Sequence, residues 1–276
     1  MKTILKWTGI VFGLLIGLSL VAGVAVYPTG LAKLTRPYPG IQVESITIPA
    51  DADSVARGRH VAVIWGCTKC HGENLGGALL ADYPILGTIP APNLTSGTGG
   101  IAGTYSDSDW VRAIRHGVGP DDGAEIFMIN YSTLSDQDLG DLLAYLKQIP
   151  TVDSDLPAMQ YGPINPMAYG AGVLTLAAEA IDHNLPRPVD PAPGATIDYG
   201  RYLWSICSEC HSPRLSTELG GSAQEDFVRA VRTGVRPNGR RLPTAMAPTT
   251  FGELSDMELA ALWRFLQGSP AEDEQE

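Results

Sequence analysis

Cys67-Thr68-Lys69-Cys70-His71 and Cys207-Ser208-Glu209-Cys210-His211 hold all four cysteines of this 276-residue chain. Two thiols separated by two residues, with an imidazole directly after them, form the pattern that attaches a c-type haem. The thiols make thioethers with the porphyrin vinyls, and the adjacent His is carried under the iron as an axial ligand. Cys67, Cys70, Cys207 and Cys210 are therefore the expected attachment points, and His71 and His211 the expected axial ligands. A four-cysteine zinc ribbon would bring its two knuckles within about 15–20 residues, whereas these pairs lie 140 apart. A thioredoxin-like motif requires neither the following His nor a second copy. With 5 His in the whole chain, one after each pair is not coincidence. Two covalent haem c groups are expected.

Outward from the motifs, the chain repeats itself. Asp109-Trp-Val-Arg-Ala-Ile-Arg-His-Gly-Val118 matches Asp226-Phe-Val-Arg-Ala-Val-Arg-Thr-Gly-Val235, 117 residues on, and Leu134-Ser-Asp136 matches Leu254-Ser-Asp256, 120 on. The motifs are offset by 140, so the first copy carries 23 more residues between motif and next helix. Ser106, Ser135, Ser222 and Ser255 each stand three residues before Asp or Glu at the start of a helical apolar pattern. Gly117 and Gly234 stop the middle helices. Leu139, Leu142, Leu143 and Leu146 share a helix face, as do Leu259, Leu262 and Leu266. Apolar helices also precede the motifs, near 54–65 and 199–206. Each copy reads helix, motif, loop, helix, loop, helix, and no strand pattern competes. The expected fold class is all-α.

This layout resembles class I cytochrome c, and the linked pair resembles the membrane-anchored dihaem cytochromes c of bacterial respiratory chains. The likeness runs from about Asp53 to Gln267. It includes Cys70-His71-Gly72, Pro92-Asn93-Leu94-Thr95, the stretch from Arg112 to Val118 and the Leu-Ser-Asp helix starts. It implies two tandem domains, in each of which the first and last helices cross. It also implies a sixth iron ligand from a Met in the loop before the last helix. In the second copy Met246 precedes Pro248, Phe251 and the Leu254 start. In the first, Met128 keeps the aromatic, Tyr131, but the gap is two residues shorter and the Pro is missing. The resemblance thus points to Met128 and Met246. His116 aligns with Thr233, which excludes a shared ligand role and leaves it to pack or hydrogen-bond near the first haem. His60 and His183 are expected at the surface or as caps. Pro92 and Pro213 offer backbone carbonyls that would hold the axial rings by their N–H groups.

Lys2 and Lys6 precede an uncharged run from Trp7 to Tyr27, whose ~21 residues at ~1.5 Å each span about 31 Å, the depth of a bilayer core. Interfacial aromatics stand at both ends. The reading is a transmembrane anchor over residues 1–30, single-pass in the inner membrane, with the haem domains in the periplasm. A cleaved signal peptide ending near Gly23-Val24-Ala25 is the alternative. The first cytochrome c domain is expected over 51–150 and a linker with a helical stretch near Met167–Ile181 over 151–192. The second domain follows over 193–268, then an acidic tail over 269–276. Lys+Arg 19 against Asp+Glu 30 gives a net charge of −11, which argues against a nucleic-acid binder. The acid gathers in the first domain, as in Asp121, Asp122 and Glu125, while Arg229, Arg232, Arg236, Arg240 and Arg241 nearly balance the second. That suits a different partner for each domain, or simply a solvated surface.

The function expected from this is electron transfer, between a periplasmic or membrane dehydrogenase and a downstream cytochrome or terminal oxidase. A covalent haem with His and Met ligands has no open iron position, so the chain reads as a carrier and not an enzyme. Two alternatives stay open. A haem enzyme of the dihaem peroxidase or thiosulfate dehydrogenase type would want one haem without its Met. A fixed cytochrome subunit of an oxidase or dehydrogenase complex would have identical chemistry.

Overall fold

Asp51 accepts a hydrogen bond from the Ser54 backbone N–H at 2.9 Å and so starts α2 (Ala52–Ile64). The computed structural model describes residues 2–211, 223–246 and 248–268. Pro213, Ser222 and the acidic tail 269–276 lie outside the described residues. Upstream is α1 (Lys2–Leu34); downstream, α3 (Cys67–His71) carries the first motif. Ser106 and Asp109 form a reciprocal capping box on α4 (Asp107–His116), which Gly117 ends at φ +64. Ser135 caps α5 (Asp136–Leu146). The same order recurs in α8 (Ile197–Cys207), α9 (Gln224–Thr233, ended by Gly234 at φ +69) and, after the short α10 (Pro248–Phe251), α11 (Asp256–Gly268).

The first and last helices of each repeat cross at a glycine. A Cβ on Gly58 of α2 would sit 1.9 Å from the Asp141 carbonyl oxygen on α5, and one on Gly200 of α8 would sit 2.1 Å from that of Ala261 on α11. Close approach buries the leucine faces: Leu139, Leu143 and Leu259 are fully covered, each contributing roughly 1.5–3 kcal/mol of apolar transfer. The core does not stop at the repeat boundary. It continues from Val61, Trp65 and Leu142 in the first half to Leu203, Leu254 and Leu262 in the second.

Three expectations are corrected. The chain is not all-α. Strands β1 (Ala78–Tyr83), β2 (Gly87–Ala91) and β3 (Gln160–Tyr161) form an antiparallel sheet in that order. The β1–β2 hairpin lies in the interval where the first copy is longer. Its outer strand buries no residue fully and shows no two-residue alternation, so the pattern that announces a strand is missing.

The anchor and the inner-membrane, periplasmic placement are also overturned. Among the described residues, no helix is long and apolar enough to cross a membrane. Helix α1 runs past residue 30 and through Pro28, and its C-terminal part is committed to protein. It packs on α6 (Ile164–Gly170), where a Cβ on Gly30 would meet the Pro166 carbonyl oxygen at 1.7 Å. Leu34 is buried with Tyr169 and Leu176, and Lys33 pairs with Glu179 at 3.2 Å. An apolar run specifies burial without saying against what.

The helical stretch of the linker is two pieces, α6 and α7 (Ala177–Ala180). Between them lies Gly172, which adopts φ +71. α7 packs beside Gly117, whose Cβ would lie 3.0 Å from that of Ala177.

Candidate functional site

Gly66 adopts φ +80 and turns the chain from α2 into α3, so that Cys67, Cys70 and His71 share one short helical turn. His71 Nδ1 lies 2.8 Å from the Pro92 carbonyl oxygen. A carbonyl only accepts, so Nδ1 carries the proton and Nε2 keeps its lone pair, the arrangement an axial ligand needs. Burial lowers the His71 pKa against the opposing pull of the Pro92 bond, which keeps the ring neutral. Pro92 therefore fills the role expected of it. Its neighbourhood is fixed by backbone bonds from Leu94 to Leu75 and from Gly77 to His71, both at 2.8 Å.

None of the four cysteines is in a disulfide. Burial pushes the Cys67 and Cys207 thiols up to about 12, so at neutral pH they are thiols and not nucleophilic thiolates. Cys207 ends α8, and His211 donates its backbone N–H back to the Cys207 carbonyl at 2.9 Å. His211 Nε2 faces the Met246 sulfur at 3.4 Å. Met246 ends a 3-10 turn, Thr244–Met246. Met128 is half-buried against the core that the two halves share and follows Phe127, whose φ is +66. Tyr131, the aromatic that follows Met128, is buried and donates its hydroxyl to the Trp65 carbonyl at 3.0 Å.

One cavity of about 520 Å³ is lined by Cys67, Cys70, His71, Met128, Cys207, Cys210, His211 and Met246 together. Its walls are apolar, with Leu94, Ile114 and Leu142 from one half and Phe251, Leu254 and Leu262 from the other. Trp65 also lines it, 1% exposed, with an indole N–H that has no acceptor among the described residues. These residues suit haem c: two thiols per motif, a neutral imidazole, sulfur within reach and a dry wall for the porphyrin.

Sequence reasoning missed three wall residues. Trp65 gave no signal beyond its place in an apolar helix. Tyr105 and Glu125 form a pair, the Tyr105 hydroxyl donating to Glu125 Oε1 at 3.3 Å, and burial raises the Glu125 pKa. The remaining histidines are engaged elsewhere. His183 Nε2 donates to the Ala178 carbonyl at 3.0 Å, so its Nδ1 accepts from His116 Nδ1–H at 3.1 Å. Burial first, then the neighbouring His183, holds His116 down at about 4. His60, expected at the surface, joins the halves by bonding Glu258 of α11 at 2.9 Å.

Residues 55–150 match the cytochrome c family. The chain is 27% identical to the fructose dehydrogenase cytochrome subunit of Gluconobacter japonicus, over 88% of this chain and 56% of that protein. It is 31% identical to the gluconate 2-dehydrogenase cytochrome c subunit of Pantoea cypripedii, over 59% of this chain and 39% of that protein. A diheme cytochrome c-type protein of Cereibacter sphaeroides is 29% identical over 80% of this chain and 77% of its own length. The chain thus spans about half or less of the two dehydrogenase subunits. Residues 55–150 are a cytochrome c domain, a domain whose work is electron transfer and which implies covalently bound haem c.

Proposed function

We propose that this chain is a dihaem electron-transfer protein. One haem c is held by Cys67 and Cys70, with His71 and Met128 on its iron. The second is held by Cys207 and Cys210, with His211 and Met246. When bound, each haem supplies a one-electron iron couple. The chain's residues would fix the group and exclude water with the apolar wall, and the Pro92 carbonyl keeps the His71 ring aimed. With both axial positions taken by protein, the site passes electrons and leaves substrate chemistry to a partner. The observation that carries this reading is the single cavity on which all eight residues converge.

The donor in this reading is the catalytic subunit of a dehydrogenase, and the acceptor a downstream cytochrome or oxidase. The fixed-subunit form is favoured because relatives are named cytochrome subunits of dehydrogenases. The test is the haem content of protein matured in a haem-c-competent host, measured as pyridine haemochrome. Two haems per chain are expected, and one after joint Cys67→Ala and Cys70→Ala substitution. One or none in the unsubstituted protein overturns the proposal.

A further inference from the structure

Two imidazoles away from the cavity wall face each other nitrogen to nitrogen. His116 closes α4 just before Gly117, and α7 lies against that helix end, with Ala177 Cβ 3.0 Å and the Ala178 nitrogen 3.1 Å from a Cβ built on Gly117. The chain then turns at Asp182, whose carbonyl takes the Leu185 N–H at 3.3 Å and whose carboxylate takes that of Asn184 at 3.0 Å. This turn brings His183 back onto His116. The two Nδ1 atoms stand 3.1 Å apart and the ring centroids 5.2 Å apart. In the second repeat Thr233 takes the place of His116 and turns its hydroxyl back to Arg229 of its own helix at 2.7 Å. The pair therefore belongs to the first repeat and the linker.

This geometry suits a metal ion as well as a proton. His183 Nε2–H is spent on the Ala178 carbonyl at 3.0 Å, so its Nδ1 lone pair is aimed at His116. A ring N–H held by a backbone carbonyl is how proteins orient a metal-binding imidazole. Two imidazoles on one tetrahedral Zn²⁺, at about 2.0–2.1 Å each, place their nitrogens about 3.3 Å and their ring centres about 5.2 Å apart. The nitrogens need only part by about 0.2 Å, and the ring centres already stand at the required separation. The neighbouring cations are occupied. Arg112 pairs with Asp122 at 2.9 Å, Arg115 with Asp136 at 2.8 Å and Lys33 with Glu179 at 3.2 Å. Both histidines are half-buried, within reach of solvent. Among the described residues no third His, Cys, Asp or Glu joins them, so the remaining coordination positions fall to water.

We propose that His116 and His183 form a two-imidazole site for a divalent cation of the zinc and copper class, which clips the linker to the end of α4. On binding, the proton shared by the two Nδ1 atoms moves to His116 Nε2 and the cation takes its place, with no change of oxidation state. Imidazole nitrogen selects Zn²⁺ or Cu²⁺ over Mg²⁺ and Ca²⁺, which take oxygen ligands. Two protein ligands with water make the site exchangeable, unlike a structural zinc site with four ligands from protein. Neither histidine lines the cavity, so the site stands apart from the two-haem reading.

The test is equilibrium dialysis of the untagged, haem-loaded full-length chain against micromolar Zn²⁺, with zinc and iron read together by elemental analysis. Zn²⁺ is the probe because it exchanges no electron with haem, and haem attachment removes the cysteine thiols as competing ligands. One zinc per chain is expected. His116→Thr, which copies Thr233, and His183→Gln should each abolish it at unchanged iron content, the sign that the variant is folded. His60→Gln should keep the zinc, which separates this site from the bond between His60 and Glu258. Zn²⁺ should also raise the thermal midpoint of the parent and leave those of His116→Thr and His183→Gln where they are. A parent that takes up no zinc overturns the inference, as does zinc that survives both substitutions. An iron count short of two per chain counts against the two-haem reading, while loss of zinc in both variants still supports this one.

Discussion

Asp141 is a fully buried carboxylate on α5, and what makes it tolerable is Arg57 of α2, whose Nε donates at 2.7 Å and whose second guanidinium nitrogen lies 3.3 Å away. The same guanidinium reaches Ser54, which Asp51 holds at the cap. Arg57→Met would strand the charge, and the expected cost is about 3 kcal/mol, read as a lower denaturant midpoint. At the candidate ligands the readout is spectroscopic. Met246→Ala should remove the red sulfur–iron charge-transfer intensity of one haem and let that haem bind carbon monoxide, and Met128→Ala should do so for the other. If the unsubstituted protein binds carbon monoxide stoichiometrically at the first haem, and Met128→Ala changes nothing, Met128 is not a ligand.

Each repeat is an element pair pinned at one glycine. Replacing Gly58 or Gly200 by Ala pushes a methyl into a backbone carbonyl that belongs to the partner helix and cannot swing aside. Overpacking of this kind costs roughly 1–3 kcal/mol and separates the helices. Thermal unfolding followed at 222 nm should show either variant losing several degrees, whereas Gly103→Ala, whose Cβ would meet nothing within 4 Å, should stay close to the parent. The β1–β2 hairpin is a different kind of element. It extends the first repeat, and Ile89 and Ala91 on its inner strand help close the cavity.

Across the whole molecule, the bond between His60 and Glu258 makes the seam sensitive to pH. The Glu258 hydrogen bond raises the His60 pKa, so its stabilising effect is complete below the unfolded value of 6.5 and is lost as pH rises through the folded one. Glu258 is pushed up by burial but pulled below 4.5 overall by His60 and Ser255, so its share is present above 4.5 and fades as pH falls through its folded pKa. The two windows overlap between about 4.5 and 6.5. His60→Gln should therefore lower the urea midpoint most near pH ~5.5 and least above pH ~8. The side chain is 37% exposed, so the difference should stay under about 1 kcal/mol. An equal difference at both pH values would assign the seam no titrating pair.

By itself the sequence determined what depends on neighbours along the chain. The motif spacing, Ser106 and Ser135 at their caps, Gly117 and Gly234 at left-handed helix ends and the leucine periodicity are local rules, and the structure shows those helices close to where they were expected. Pro92 was legible as well, because a motif His needs an acceptor and the Pro-Asn-Leu-Thr stretch stood out. Tertiary structure decided whatever depends on which surfaces meet. The apolar run of α1 could not say that its end packs on α6, because burial in protein and burial in lipid demand the same residues. The hairpin escaped because its outer strand is exposed on both faces. The shared cavity, Trp65 between the repeats, and the reach of Lys69 to Ala245 escaped because two similar sequences carry no record of how their folded copies are docked.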